Sequence, residues 1–134
     1  MAGMGTDSIE ALLRDFFRDR REFVAVYLFG SQARGQARPD SDVDLGLLYA
    51  TPPEATLLAQ PYELEADLSR RLGRHVSCTV LNTAPPDLVH RVLRDGIIVA
   101  ETDKSRRIAF EVKLRNEYFD LLPKLREYRK FSPA

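Results

Sequence analysis

Apolar side chains recur in the first segment at Ile9, Leu12, Leu13, Phe16 and Phe17, the spacing of one helical face. Asp7 with Glu10 supplies a capping-box start for that helix. The pattern then changes to an unbroken apolar run, Phe23 to Phe29, which reads as a buried strand ending abruptly at Gly30-Ser31. Ala33 and Arg34 open a short helical turn, and a polar, turn-rich stretch over 34–41 returns the chain to a second strand, Val43 to Tyr49. Glu54 to Arg71, with Leu57, Leu58, Leu64 and Leu68 inside it, predicts a helix stopped by Gly73 and interrupted in its first turns by Pro61. A third strand follows over His75 to Leu81, then a short helix from Pro86 to Arg94 ended by Gly96, and a short fourth strand from Ile97 to Ala100. Asp103 caps a long C-terminal helix.

Strands and helices in this order predict an α/β (α+β) fold, a small mixed sheet covered by helices with a long C-terminal helix. No repeat, low-complexity tract or Pro/Gly/Ser-rich linker divides the chain, so residues 1–134 read as one domain, its C-terminal helical segment covering about 103–130. That last segment holds Ile108, Phe110, Val112, Leu114, Tyr118, Phe119, Leu121, Leu122 and Leu125, too many apolar side chains for one narrow stripe. Two readings stand: all of them serve the domain's own core, or some face a partner. Pro123 is expected to kink or break this helix, because it lacks an amide hydrogen and crowds the preceding turn.

A chain of 134 residues with 44% hydrophobic content buries a core without staples. Twenty basic and twenty acidic residues cancel, so no strong nucleic-acid binding and no pull toward anionic membrane is expected. The single Cys78 excludes an internal disulfide framework and a multi-cysteine zinc site, and with it goes the expectation of a reducing, cytoplasmic setting. No apolar run approaches the roughly 18 to 20 residues that span a bilayer, and charges stand where a signal peptide would be apolar.

The chemistry concentrates at Gly30-Ser31 and, after ten intervening residues, Asp42-Val43-Asp44. Two carboxylates one residue apart at a strand's start share a face, because side chains alternate with period two, and that pairing suits a divalent metal. Glycine lets a backbone approach a phosphate closely, the amides of an opening helical turn favour anions, and Ser31 adds a hydroxyl donor. A phosphate cradle and a metal-binding acid pair therefore belong to adjoining strand ends.

The block FGSQARGQARPDSDVDL resembles the signature of the polymerase beta superfamily of nucleotidyltransferases, specifically the minimal nucleotidyltransferases. Val80 to Pro86, Leu93-Arg94-Asp95-Gly96 and Tyr118 to Pro123 with Tyr128-Arg129 are similar to the MntA-type antitoxins that pair with HEPN toxins. The resemblance implies the nucleotidyltransferase fold and transfer of AMP from ATP, with Mg2+ at a two-metal site, onto a tyrosine hydroxyl of a partner HEPN ribonuclease, which silences the toxin. Carried onto this chain, it makes Asp42 and Asp44 the catalytic metal ligands and Gly30, Ser31 and Arg34 the nucleotide-binding residues. Arg38, on the same polar loop, reads as a solvated residue.

Members of that superfamily carry a third acid on the strand after the second helix, and here that position is Ser77. A hydroxyl is neutral at physiological pH and is no base of useful strength. Three readings stay open. His75, two residues earlier and on the same strand face, serves as a neutral base; or Glu63, Glu65 or Asp67 on the adjacent helix faces inward; or catalysis is impaired and the chain neutralises its toxin by direct binding.

The other conspicuous residues have structural readings. Cys78 faces away from Ser77 into the core, and His90 reads as a surface residue with no ligand partner at metal spacing. Arg70, Arg71 and Arg74 read as a solvated helix end with a favourable dipole interaction. Lys104, Arg106 and Arg107 stand at a helix start, where the dipole disfavours them, so a partner or ligand contact is expected there.

Overall fold

A computed structural model describes residues 6–30, 41–53 and 60–131. Its elements run α1 (Thr6–Phe17), β1 (Phe23–Phe29), β2 (Val43–Tyr49), α2 (Tyr62–Leu72), β3 (Val76–Val80), α3 (Pro86–Asp95), β4 (Ile97–Glu101) and α4 (Lys104–Phe131). The four strands form one sheet in the order β3-β2-β1-β4. β1 lies antiparallel to β2 and to β4, while β2 and β3 are parallel, so the sheet is mixed. The parallel pair needs a long crossover, and α2 is part of it.

Alternation along the strands sends side chains to two cores. On one face Val43, Leu45, Leu47, Val76 and Cys78 pack with Ile9, Leu13 and Phe17 of α1 and Leu68 and Leu72 of α2. On the other, Val24, Ala25, Tyr27, Leu48 and Leu81 meet Val89 and Val92 of α3 and Leu114 of α4. β1 is buried from Phe23 through Leu28 because helices cover both faces of a central strand. That is why its sequence is uniformly apolar.

α1 begins at Thr6, one residue ahead of the expected Asp7 cap, and Glu10 instead pairs with Arg14 at 3.8 Å. The described part of the second helix begins after Pro61, at Tyr62, because Pro61 is non-helical (φ −79°, ψ 64°); residues 54–59 of the expected helix lie outside the described residues. Gly73 ends α2 in the left-handed region, φ 65°, a conformation glycine adopts without strain. α2 also covers the open side of β3. Ser69 Oγ accepts from the Val76 amide at 3.0 Å, Glu65 Oε2 accepts from the Cys78 amide at 2.8 Å, and Gln60 Nε2 donates to the Cys78 carbonyl at 2.9 Å.

Asp103 caps α4 as expected, its Oδ1 accepting from the Arg106 amide at 3.1 Å. Asp103→Ala is expected to cost about 1 kcal/mol, a drop of a few degrees in Tm by differential scanning fluorimetry. The two arginines at this helix start make contacts within the chain. Arg106 Nη2 donates to the Ala50 carbonyl at 2.6 Å; Arg107 Nη1 donates to Glu111 Oε1 at 2.8 Å, and Arg107 Nε lies 3.5 Å from Glu101. Tyr27 Oη donates to the same Glu111 oxygen at 2.7 Å, tying α4 to the central strand. Burial, and then the Glu111 carboxylate, drive the Tyr27 phenol far above its ordinary range.

α4 runs through Pro123 without a break, correcting that part of the expectation. Proline forfeits the bond to the carbonyl four residues back, that of Phe119, on a residue that is exposed. The helix's 28 residues extend about 42 Å against about 23 Å for a seven-residue strand. Phe110 and Leu114 pack on the sheet, whereas Ile108, Val112, Phe119 and Tyr128 remain exposed.

Two further expectations fail. Arg74 is 8% exposed, buried rather than solvated, while Arg70 and Arg71 do lie on the surface, both paired with Asp67. His90 is half-buried and stacks on the Tyr118 ring, with centroids 3.7 Å apart and planes 5° apart, joining α3 to α4.

Candidate active site

β1 delivers the chain to Gly30 at the end of the sheet where β2 begins. Phe29 pairs with Asp44, so the residue after the strand lies beside that carboxylate. Gly30 takes φ 73°, the left-handed region, and a Cβ built on it would collide with Asp44 Oδ2. Only a residue without a side chain lets the backbone pass this close. Ser31 and Arg34, the other two expected nucleotide-binding residues, lie outside the described residues, as does Arg38.

The parallel ladder sets the other side of the site. Asp44 is in register with Ser77, and both are half-buried. One row outward, the Val43 amide donates to the His75 carbonyl at 2.9 Å, which puts Asp42 beside His75; Asp42 Oδ2 lies 3.8 Å from His75 Nδ1, and both side chains are exposed. Asp42, Asp44, His75 and Ser77 therefore form two rows on adjoining strands. The face they share is the α3 side: Gly46, two residues beyond Asp44, lies close beneath Val92 and Leu81, where a Cβ would come within a tight 3.1–3.2 Å. α3 ends at Asp95-Gly96 at this same end of the sheet, because Ile97 pairs with Leu28. Arg94 and Asp95 there make a two-point pair at 2.9 and 3.0 Å, a feature no spacing in the sequence announced.

The three helix acids considered as a substitute third carboxylate have other surroundings. Glu65 is committed to the Cys78 amide, Asp67 to Arg70 and Arg71, and Glu63 is exposed. Cys78 is a core residue, as its alternation with Ser77 predicts; burial, with a smaller push from Glu65, raises its thiol to about 12, so it is no nucleophile at neutral pH. Among the described residues no three of His, Cys, Asp and Glu converge into a preformed metal cluster. The oxygen donors of Asp42 and Asp44 fit magnesium nonetheless, because that ion is commonly held by one or two carboxylates and completed by substrate phosphates and water. The glycine at position 30 is the complementary feature, a left-handed turn whose backbone lies close against the same carboxylate.

A four-stranded mixed sheet with a glycine turn facing a strand-borne acid pair defines a nucleotidyltransferase architecture, and the family model for polymerase beta nucleotidyltransferases matches residues 12–105. The chain belongs to that family. Within it, the protein adenylyltransferase MntA of Thermococcus cleftensis is 31% identical over 102 residues, covering 74% of this chain and all of the relative. Among solved structures, a chain of a toxin–antitoxin crystal structure with AMP-PNP superposes with a TM-score of 0.74 at 26% identity, covering 95% of this chain and 97% of the other. A chain of the toxin–antitoxin MntA-HepT structure gives a TM-score of 0.67 at 25% identity and 94% coverage of both. Both alignments span more of the chain than the family model does, which stops at residue 105. Among the described residues no helix is long and apolar enough to cross a membrane.

Proposed function

We propose that this chain is an antitoxin of the adenylyltransferase type, which transfers AMP from ATP to a tyrosine hydroxyl of a partner HEPN toxin and so neutralises it. The observation that carries this reading is the approach of Gly30 to Asp44, a left-handed glycine turn set against a carboxylate at one sheet end. The relatives supply the substrate class: one is a protein adenylyltransferase, and another is a toxin–antitoxin with AMP-PNP.

In the transfer, the hydroxyl oxygen of the acceptor forms a bond to the α-phosphorus of ATP. The bond from that phosphorus to the oxygen bridging to the β-phosphate breaks, pyrophosphate leaves, and the hydroxyl proton passes to a base or to water. Asp42 and Asp44 would hold magnesium, which when bound neutralises charge on the triphosphate and acidifies the attacking hydroxyl. The Gly30 turn, with Ser31 and Arg34, binds and orients the outer phosphates. α3, packed tightly over Gly46, walls one side of the site and limits water there.

Intact-mass spectrometry of the partner toxin after incubation with this protein, magnesium and ATP tests the reading. A gain of AMP that is absent with the Asp42→Asn, Asp44→Asn double variant supports it, and no gain together with a stable complex overturns catalysis. One observation favours the second reading, neutralisation by direct binding: the neighbour of Asp44 on β3 is Ser77, not a carboxylate. Ser77→Asp, which adds an acid in register with Asp44, is expected to raise the initial rate of AMP transfer about tenfold or more. An unchanged rate would mean that proton removal is already provided for.

A further inference from the structure

α4 carries two stripes and spends only one on its own domain. Arg107, Phe110, Leu114, Tyr118, Leu121 and Leu125 are buried or half-buried, the inner stripe that faces the rest of the chain. Ile108, Val112 and Phe119 are 43%, 46% and 56% exposed, and with Arg115, Leu122 and Arg126 they recur at alternating spacings of four and three residues. That is the seam spacing of a helix packed on another helix, and it runs roughly 120° around α4 from the inner stripe. The surplus of apolar residues in this segment is therefore divided, one share packing on the domain and the other facing outward. The family model ends at residue 105, so the nucleotidyltransferase unit is defined without this seam. The alignment with the toxin–antitoxin chain covers 95% of the sequence and so takes in most of the 28 residues of α4.

Charge decides what the seam can hold. Lys104 stands one turn ahead of Ile108, Arg115 at the centre and Arg126 near the end, all three exposed, and no acid shares the line. A second copy of the chain is a poor occupant. Packed parallel, each cation meets its own counterpart; packed antiparallel about position 115, Arg115 meets Arg115 and Lys104 meets Arg126. We propose that this outer seam is the surface by which the chain holds its partner toxin, against a helix of that protein whose apolar side chains are bordered by carboxylates. The inference rests on the antitoxin reading given above. Apolar anchors about a turn apart read a helix face, and the cations add selectivity by pairing with acids and rejecting basic surfaces. The seam starts beside the end of β2, where Arg106 reaches the Ala50 carbonyl, at the other end of that strand from Asp44. Docking that begins there need not engage Asp42 or Asp44, and it raises the effective concentration of the acceptor tyrosine near them.

Isothermal titration calorimetry of the purified chain with the partner toxin, in the absence of nucleotide, tests the surface. Val112→Asp and Phe119→Asp each place a carboxylate in the seam and should weaken binding about a hundredfold or more. Arg115→Glu should weaken it about tenfold. Lys124→Glu, an exposed charge reversal on another face of α4, should bind as the wild type does. All four positions are exposed, so Tm and the binding of AMP-PNP should hold, and a variant that keeps both while losing the toxin places the loss at the seam. Seam variants that bind the toxin as tightly as the wild type overturn the surface and leave the antitoxin reading standing. A wild-type chain that is dimeric by analytical ultracentrifugation and monomeric as Val112→Asp gives the seam to a second copy and overturns the toxin as its occupant. No binding of the toxin by the wild-type chain overturns both the surface and the antitoxin reading.

Discussion

Asp44→Asn is expected to lower the rate of AMP transfer about a thousandfold, the loss of several kcal/mol of transition-state stabilisation when a carboxylate leaves a phosphoryl-transfer site. Asparagine keeps the size of the side chain and removes its charge, so the half-buried position in register with Phe29 and Ser77 stays filled. Tm should therefore move by no more than a few degrees, and binding to the toxin should persist. Time-resolved intact-mass spectrometry gives the rate and fluorimetry gives the stability. A variant that still modifies the toxin at the wild-type rate would remove Asp44 from the chemistry.

Gly30→Ala should also be severe, for a different reason. Two penalties act together: a left-handed φ of 73°, costing an L-residue about 1–2 kcal/mol, and a Cβ driven into Asp44 Oδ2. The carboxylate must move, and a misplacement of about 1 Å costs roughly a hundredfold in rate. Gly73→Ala is the control. It carries the same kind of backbone strain, φ 65°, with nothing within 4 Å of the added carbon. Gly30→Ala should lose at least as much stability as Gly73→Ala, and only Gly30→Ala should lose AMP transfer; equal loss of transfer in the two would reduce the role of Gly30 to backbone strain.

The strand ends at Phe29 and Val43 were legible because a central strand buried on both faces reads as a continuous apolar run, and the meeting of Gly30 with Asp44 follows once those runs pair. Ser77 was picked out by the family resemblance, and the structure sets it in register with Asp44. What period and propensity do not encode is which long polar side chain reaches which distant backbone group. Glu65, a candidate acid for the site, is spent on the Cys78 amide thirteen residues away; Arg107, a candidate for a partner contact, is tied to Glu111 and Glu101. The burial of Arg74 and the stacking of His90 on Tyr118 belong to the same category, since each depends on how helices settle against neighbours. The dipole argument at the start of α4 named residues that need an acceptor, and within the chain Arg107 finds acids from β4 and from the helix's next turn.

The attachment of α2 to β3 has a consequence for how the molecule meets others. An outer strand with free amides and carbonyls invites another chain to extend the sheet, by aggregation or by peptide capture. Here Val76 and Cys78 spend those groups on Ser69, Glu65 and Gln60. A newcomer at that border would have to displace three hydrogen bonds, one of them to a charged acceptor. Along Val76 to Cys78 this flank of the sheet is thereby closed to strand addition.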